Sequence, residues 1–552
     1  MALFVGLLIS LPAWTQTTTS SIVGRVADVD GPLQDALVTA VYTPSGITYH
    51  ALTNANGMYR INGVVAGGPY TIKAEMQGHR AAERLNVSAP LGDKVEVDFE
   101  LPVSATTLDV VVISDDAANS GMDVQNSGVA THIDNRALMA VPTVSRSLND
   151  IMRLTPQGTA SGTGFTVGGG NYRSSAVTVD GASFNNAFGI GPSLPAGGNP
   201  LSLDAIEQVS ISITPFDVRQ SGFLGGAINM VTKQGGNEWH GSVYDYYTSS
   251  GLSGRRLGNV ELSQASALNN VTGFTLGGPI VKDKLFFFLN AEYTPERVQG
   301  ATAQARQDEN SEWGGNGYNR PTVGRMDSIR NYLINEYGYN PGAYENYSVD
   351  ASDYKLLARL DWIINSDNRF NIRFSHTHTT MLEATSSMSG IGGTETQFSV
   401  NGENYSFNRH SEGRLSNYAL MFQSARYTKN QDFSSVAAEL DSRLFGGRGN
   451  NVLRFTMSYQ NEPRGHYGKD FPTVDILEPY TNSDGVRKYA VYTTFGLDPF
   501  TYQTANRVRT INVTDELTYS TGIHTLLGGV QLEHSNIRNV YMAGGGGWYV
   551  FD

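Results

Sequence analysis

The feature that most narrows the fold is a strict alternation of apolar and polar residues, repeated in several long segments of a chain without a long apolar run. From Tyr354 to Ile364, the residues Tyr354, Leu356, Ala358, Leu360, Trp362 and Ile364 fall on one face and Lys355, Arg359 and Asp361 on the other. Phe370, Ile372 and Phe374 against Asn371, Arg373 and Ser375 repeat the pattern after the turn NSDN, and Leu453, Phe455, Met457 and Tyr459 against Arg454, Thr456 and Ser458 do so again. A period of two is that of a β-strand with one apolar face. No stretch approaches the ~20 apolar residues that a spanning helix needs. Two architectures remain, a soluble sandwich or a closed barrel in lipid, since only helices and barrels satisfy their own backbone groups in hydrocarbon.

Loop lengths separate the two. Ser249 to Leu268, Pro295 to Ser352, Thr380 to Asp432 and Asn461 to Asn506 are long connections, and they alternate with the short ones GGPIVKD, NSDN, FGGRGN and STG. Long outer loops and short periplasmic turns are the mark of an outer-membrane barrel. This parity puts Arg414 to Tyr427, itself strand-like, into an external loop. The 61 glycines and 28 tyrosines suit a turn-rich β protein with aromatic rings at water–lipid boundaries. A net charge of −13 argues against nucleic acid, and the absence of cysteine excludes disulfides and thiolate metal sites.

Before the alternating segments lie three shorter units. Ala2 to Trp14 is apolar and precedes a small-x-small pattern, Ala13-Trp14-Thr15, so residues 1–15 read as an export signal, with the true start expected upstream because no basic residue precedes it. Residues 19–104 carry short strands, among them IVGRVAD, ALVTAVY, ITYHALT, MYRINGV, YTIKAEM and KVEVDFEL, cut by DG, PSG, NANG and AGGP turns. That spacing reads as a small β-sandwich. Residues 105–127 contain LDVVVISDD in a polar linker, and 128–236 hold a helix expected at Ser147 with Leu148, Ile151 and Met152, a Gly-rich stretch, and two β motifs.

Those motifs carry a family resemblance. VTVDGASFNN, with Val179, Asp180 and Gly181, resembles the VDG strand in the plug of TonB-dependent receptors, and LDAIEQVSI with GFLGGAINMVTK, including Gly225, Gly226 and Asn229, resembles the plug's closing signature. The order G-x-V, G-P-L-x-D-A-x-V, T-x-x-x-G-x-Y in residues 19–104 looks like a carboxypeptidase regulatory-like domain, an accessory module. Together they resemble the Oar-like receptors. The resemblance implies a mainly β protein of sandwich, plug (128–236) and the first part of a transmembrane antiparallel barrel (237–552, about nine strands) in the outer membrane of a Gram-negative bacterium. It implies import of an unidentified ligand with energy from a TonB-type transducer, which would engage the TonB-box-like residues Leu108, Asp109, Val110, Val111, Val112 and Ile113. A barrel-anchored adhesion or binding protein and a SusC-type glycan importer are the alternatives. Size points to a longer receptor: nine strands enclose a cylinder ~18 Å across, against ~44 Å for 22, and a plug of this length is ~34 Å in diameter. The chain is therefore expected to be the N-terminal part of such a receptor.

Candidate chemistry is sparse. His376 and His378 share a strand face without a third ligand, and Asp28-Val29-Asp30-Gly31 lacks the rest of a calcium loop. No zinc-ligand spacing or nucleophile elbow appears, so no catalytic residue, metal or cofactor is expected. Trp313, Tyr318, Tyr337 and Tyr339, set among Asn and Gly in the loop from Pro295 to Ser352, are candidates for ligand contact. Self-packing of that loop against the barrel rim is the equal alternative.

Overall fold

The computed structural model describes residues 18–103, 111–114, 130–140 and 146–551, apart from 147, 149–154, 157, 162–163, 187–193, 196–197, 199, 214–217, 221–223, 253, 255, 258–259, 262–266, 302, 315–316, 388–394, 401–402, 409–412, 482–484, 486 and 522–523. The export signal, the box residues Leu108 to Val110, and Ser147, Ile151 and Met152 lie outside the described residues.

Nine strands make one antiparallel sheet, each paired with the next: His240–Ser249, Leu268–Val281, Leu285–Gln299, Ser348–Ile363, Asn368–Glu383, Tyr427–Leu444, Gly449–His466, Ala505–Thr521 and His524–Val540. They extend beyond the alternating cores legible in sequence, so the loop after Leu285–Gln299 is shorter than expected. Residues 414–426 contribute no strand to this wall. The faces of the wall are inverted relative to a soluble sheet. Phe374 is 46% exposed and Phe455 41%, whereas Arg373 and Ser375 are each 1% exposed. In water this would leave a band of Leu, Phe and Trp unburied, at ~25 cal/mol per Å² of apolar surface. Against hydrocarbon the same arrangement is favourable, and the polar lumen face must be filled by something polar. Among the described residues no helix is long and apolar enough to cross a membrane.

The filler is a second, smaller sheet of five strands, in the order Ala130–Asp134, Ile206–Ser212, Ala227–Thr232, Ala176–Val179 and Ala182–Ser183. Two of its inner strands are buried throughout: every residue of Ala227–Thr232 and of Ala176–Val179 is buried. Burial on both faces is what their short apolar runs require. The core is continuous with the wall, because Phe184, Ile211 and Met230 pack with Phe288, Leu357, Phe433 and Ala437; the Phe184 and Phe433 rings are 4.7 Å apart.

At the N-terminus, Thr19–Asp28 pairs with Met58–Val65, and a second sheet runs Val111–Ser114, Ala82–Ala89, Gly67–Glu75, Leu37–Tyr42, Ile47–Leu52. The two sheets enclose Ile22, Val26, Val38, Tyr59, Ile61, Tyr70 and Ile72.

The inverted wall makes a direct prediction. Phe455 lies between Ala438 and Val513 on neighbouring strands, at the centre of the outward apolar band. Phe455→Arg should destabilise the wall by ~2–4 kcal/mol, as an arginine near the bilayer midplane does. Urea unfolding in lipid vesicles reads this out, and a change near zero would show that the face does not meet lipid.

Candidate functional site

The VDG motif makes a two-residue hairpin turn. Asp180 and Gly181 both sit in the left-handed region, at φ 47° and 78°, as an Asp-Gly reversal of this kind requires. The turn is pressed against the wall: a Cβ on Gly181 would come within 2.6 Å of Arg454 Cδ. No side chain fits there.

Asp180 is the centre of a buried charge network. Its carboxylate accepts from the Thr232 backbone N–H at 2.9 Å and the Thr232 hydroxyl at 2.8 Å. It faces two arginines of the wall, Arg373 Nε at 2.9 Å and Arg359 Nη1 at 3.6 Å. Arg373 also donates to the Val179 carbonyl at 3.2 Å and to the hydroxyls of Ser375 and Ser435 at 2.7 and 3.0 Å. Arg359 pairs with Asp361 at 2.8 Å and reaches the Thr232 carbonyl at 3.1 Å. Beside them Arg454 pairs with Glu439 at 2.8 Å, and both bond the Thr18 hydroxyl, each at 2.7 Å. The other plug-motif residues are structural neighbours of this turn. Val179 is buried, Asn229 accepts from the Thr178 hydroxyl at 2.7 Å, and Gly225 and Gly226 lie beside Val167, where a Cβ on Gly226 would stand 2.9 Å from the valine side chain.

The N-terminal sandwich docks on the same region from the side of the short turns. Arg369 of the wall pairs with Asp441 at 2.7 Å, donates to the Gly63 carbonyl at 2.6 Å and bonds the Tyr49 hydroxyl. Its guanidinium lies 4.8 Å from the centre of the Tyr49 ring, and that of Arg443 lies 5.4 Å from it. Burial pushes the Tyr49 hydroxyl pKa up. Asn237 joins sandwich to wall, donating to the Pro44 carbonyl through its backbone and to the Ser45 carbonyl through its side chain, at 2.7 and 3.0 Å. Gln208 of the smaller sheet accepts from the Leu91 N–H at 2.8 Å. A cavity of about 80 Å³ remains where the three parts meet, lined by Tyr42, Glu207, Thr232, Arg359, Asp361 and Arg369 among others. Burial is the largest influence on Glu207 and raises its carboxyl above 4.5, while Lys233 nearby works against the rise.

The TonB-box-like segment is described in part. Leu108, Asp109 and Val110 lie outside the described residues, and Val111–Ser114 forms the edge strand of the sandwich, parallel to Ala82–Leu85. Among the described residues its other edge has no partner.

The candidate aromatic loop is a packed cap. It contains an unforeseen helix, Val323–Tyr337, closed by Gly338 at φ 60°. Tyr339 is 3% exposed and stacks on Phe471 with centroids 4.1 Å apart, so it belongs to the cap's core and not to its surface. Trp313 is half-buried with its edge to Tyr418 at 4.9 Å, whereas Tyr318 and Tyr337 are exposed. The cap is pinned by Arg414, which is fully buried, pairs with Asp475 at 2.6 Å and faces the Trp548 ring at 4.9 Å. The inward face of the wall also carries a basic pair. Lys429 stands directly opposite Arg464, two register steps beyond Phe433 and Gln460. No carboxylate lies within ion-pair distance of either among the described residues. His376 and His378 face outward and bond Ser434 and Asp432, at 2.9 and 2.7 Å. Among the described residues no three potential ligands converge as a metal site.

Asp180→Ala leaves Arg373 buried without its main counter-charge, which should cost ~3–5 kcal/mol; Arg373→Met in the same chain should recover part of the loss, as a double-mutant denaturation series would show. Glu207 holds its proton more tightly in the folded chain than in the unfolded one. Its contribution to stability is therefore fully present below 4.5 and is lost as pH rises through the raised folded value. Glu207→Gln should match the parent below that pH and exceed it at neutral pH in thermal unfolding.

A family model for the carboxypeptidase regulatory-like domain matches residues 21–102, and one described as an outer membrane beta barrel domain matches residues 231–552. The TonB-dependent transporter Oar of Myxococcus xanthus is 27% identical over 398 residues, covering 68% of this chain and 35% of its own length. A probable TonB-dependent siderophore receptor, PirA of Acinetobacter baumannii, is 27% identical over 240 residues, covering 39% of this chain and 30% of its own. Among solved structures, the outer membrane transporter YddB of Escherichia coli aligns with 74% of this chain and 48% of its own at 12% identity, with a TM-score of 0.46. The chain spans about a third of the length of these curated relatives.

Proposed function

Since the chain belongs to the outer membrane β-barrel family, as a TonB-dependent receptor of the Oar type seated in the Gram-negative outer membrane, we propose that it takes part in energised import of a ligand captured at the cell surface. The observation that carries this reading is the polar seal around Asp180. A plug held by apolar packing alone would expose that surface to water on moving. A plug held by Asp180, Arg359 and Arg373 exposes groups that water solvates well, so the desolvation already suffered in the closed state offsets the loss of the pairs. Such a seam holds firmly and parts without a large hydrophobic penalty.

In this reading the ligand first meets the cap, where Tyr318, Tyr337 and the accessible edge of Trp313 offer contact. It then passes the inward face of the wall, where Lys429 and Arg464 stand opposite each other with Glu462 and Glu383 close to Lys429, so that charges of both signs are offered. Work enters through Leu108 to Ile113, pulled by a TonB-type partner that adds a strand to the segment. Tyr339 supports the cap from within. No catalytic step is assigned.

A barrel-anchored adhesion or binding role is the second reading, favoured by the self-packed cap, whose cross-loop pairing of Arg414 with Asp475 gives a fixed outer surface. A SusC-type glycan importer is a third and requires a lipoprotein partner. Deletion of Leu108 to Asp116 separates import from adhesion. Import predicts that cells carrying the deletion still bind the cognate ligand at the surface and no longer accumulate it; unchanged accumulation would sink the energised reading. Co-purification of a lipoprotein lid would favour the glycan importer.

A further inference from the structure

The outward face of the last two wall strands carries a charge arrangement that the import reading does not use. On Ala505–Thr521 the odd-numbered residues face outward, with Arg507, Arg509, Val513 and Leu517 exposed while Asn506, Val508, Thr514 and Glu516 are buried. Arg507 is the register partner of Arg538, and Arg509 that of Asn536. Three exposed arginines are thus gathered on one patch of two strands, two of them directly opposite each other.

Like charges directly opposed across an antiparallel pair destabilise it. Among the described residues no carboxylate forms an ion pair with any of the three. Asp432, two strands away on the same face, is occupied: His378 bonds one oxygen at 2.7 Å and Asn461 the other at 3.2 Å, and Asn461 in turn accepts from Arg507 Nε at 3.0 Å. The chain carries 39 basic against 52 acidic residues, so a general excess of positive charge does not explain the cluster.

Below the arginines the same face is an apolar belt, with Leu526, Val530 and Leu532 each at least 60% exposed. The short turn joining the two strands, between Thr521 and His524, lies at the far end. The arginines therefore sit at the end of the belt that bears the long loop between His466 and Ala505. In an outer-membrane barrel that end meets the headgroups of the outer leaflet. Guanidinium forks match phosphate oxygens in geometry as well as charge. We propose that Arg507, Arg509 and Arg538 form a binding site for the phosphate-bearing headgroup of an outer-leaflet lipid, whose acyl chains lie along the belt beneath. The phosphate would supply the counter-charge that the opposed Arg507–Arg538 pair lacks.

The test uses the full chain extracted from outer membranes in mild detergent, with lipid phosphorus measured after repeated washing. The parent should retain phosphorylated lipid, and Arg507→Gln with Arg509→Gln and Arg538→Gln should lose it by at least about tenfold. The corresponding triple Lys variant should keep most of it. Far-UV circular dichroism and the thermal transition report folding, and the single variant Arg538→Gln, which should lose several-fold, stands in if the triple variant does not fold. Rebinding is then measured on phosphatidylcholine vesicles with and without lipid A, and the proposal expects lipid A to increase binding of the parent but not of the Gln variant. Equal phosphorus in parent and Gln variants would overturn it. So would displacement of the lipid by millimolar inorganic phosphate, since the site would then be a simple anion site.

Discussion

The constraint on which the rest depends is the need to fill a polar lumen. A wall whose outward face is Leu360, Phe374 and Phe455 must turn Arg359, Arg373 and Arg454 inward, because period two allows nothing else. Three arginines inside a protein are untenable without counter-charges. Asp180, Asp361 and Glu439 supply them, two from the wall itself and one from the plug. The smaller sheet therefore does more than occupy space, since its Asp180 completes the electrostatics of the wall. The same logic explains Gly181: the turn must bring Asp180 close to the wall, and no Cβ fits beside Arg454.

The sandwich repeats this device at the opposite side of the network. Arg369 is inward-facing and pairs with Asp441, but its remaining donors go to the Gly63 carbonyl and the Tyr49 hydroxyl. Cation–π contact with two guanidiniums gives Tyr49 a further ~0.5–2 kcal/mol each, depending on how dry the contact is. One row of wall arginines thus serves two bodies, Arg359, Arg373 and Arg454 the plug and Arg369 and Arg443 the sandwich. Glu207 lies at the seam between them, which is why its carboxyl is pushed toward the neutral form.

Much of this was legible in the sequence, and the residues show why the rest was not. Alternation from Tyr354 to Ile364 fixed which side chains share a face, and the register confirms it pair by pair, Leu356 opposite His376 and Leu360 opposite Ile372. Alternation carries no sign, however, and the choice of lipid for the apolar face came from loop lengths. Ala82–Ala89 is not legible as a strand because Glu83, Arg84 and Asn86 blur its period, although it is the strand that receives Val111–Ser114. The helix Val323–Tyr337 was hidden inside a long polar loop, where Met326 and Leu333 are its only fully buried residues. Tyrosine-rich loops are ambiguous for a physical reason: the ring is equally suited to a core and to a binding surface, and Tyr339 and Tyr337 took opposite fates two residues apart. The arginine partners of Asp180 lie nearly two hundred residues away, which no local pattern encodes.

Chain order adds a mechanical consequence to the shared electrostatics. Val111–Ser114 lies between the sandwich, which ends near Val103, and the first strand of the plug, Ala130–Asp134. Tension applied at this segment pulls both ways along the chain, toward Tyr49 and its two arginines on one side and toward Asp180 on the other. It must first strip four residues of parallel pairing from Ala82–Leu85, a small barrier beside either polar seam. The seams differ in depth. Arg373 is almost wholly inaccessible, while Arg369 and Arg443 keep some contact with solvent, and ion pairs open to water are weaker and more readily replaced than buried ones. The sandwich seam is therefore the more readily hydrated of the two, and the seam around Asp180 the more dependent on its buried pairs.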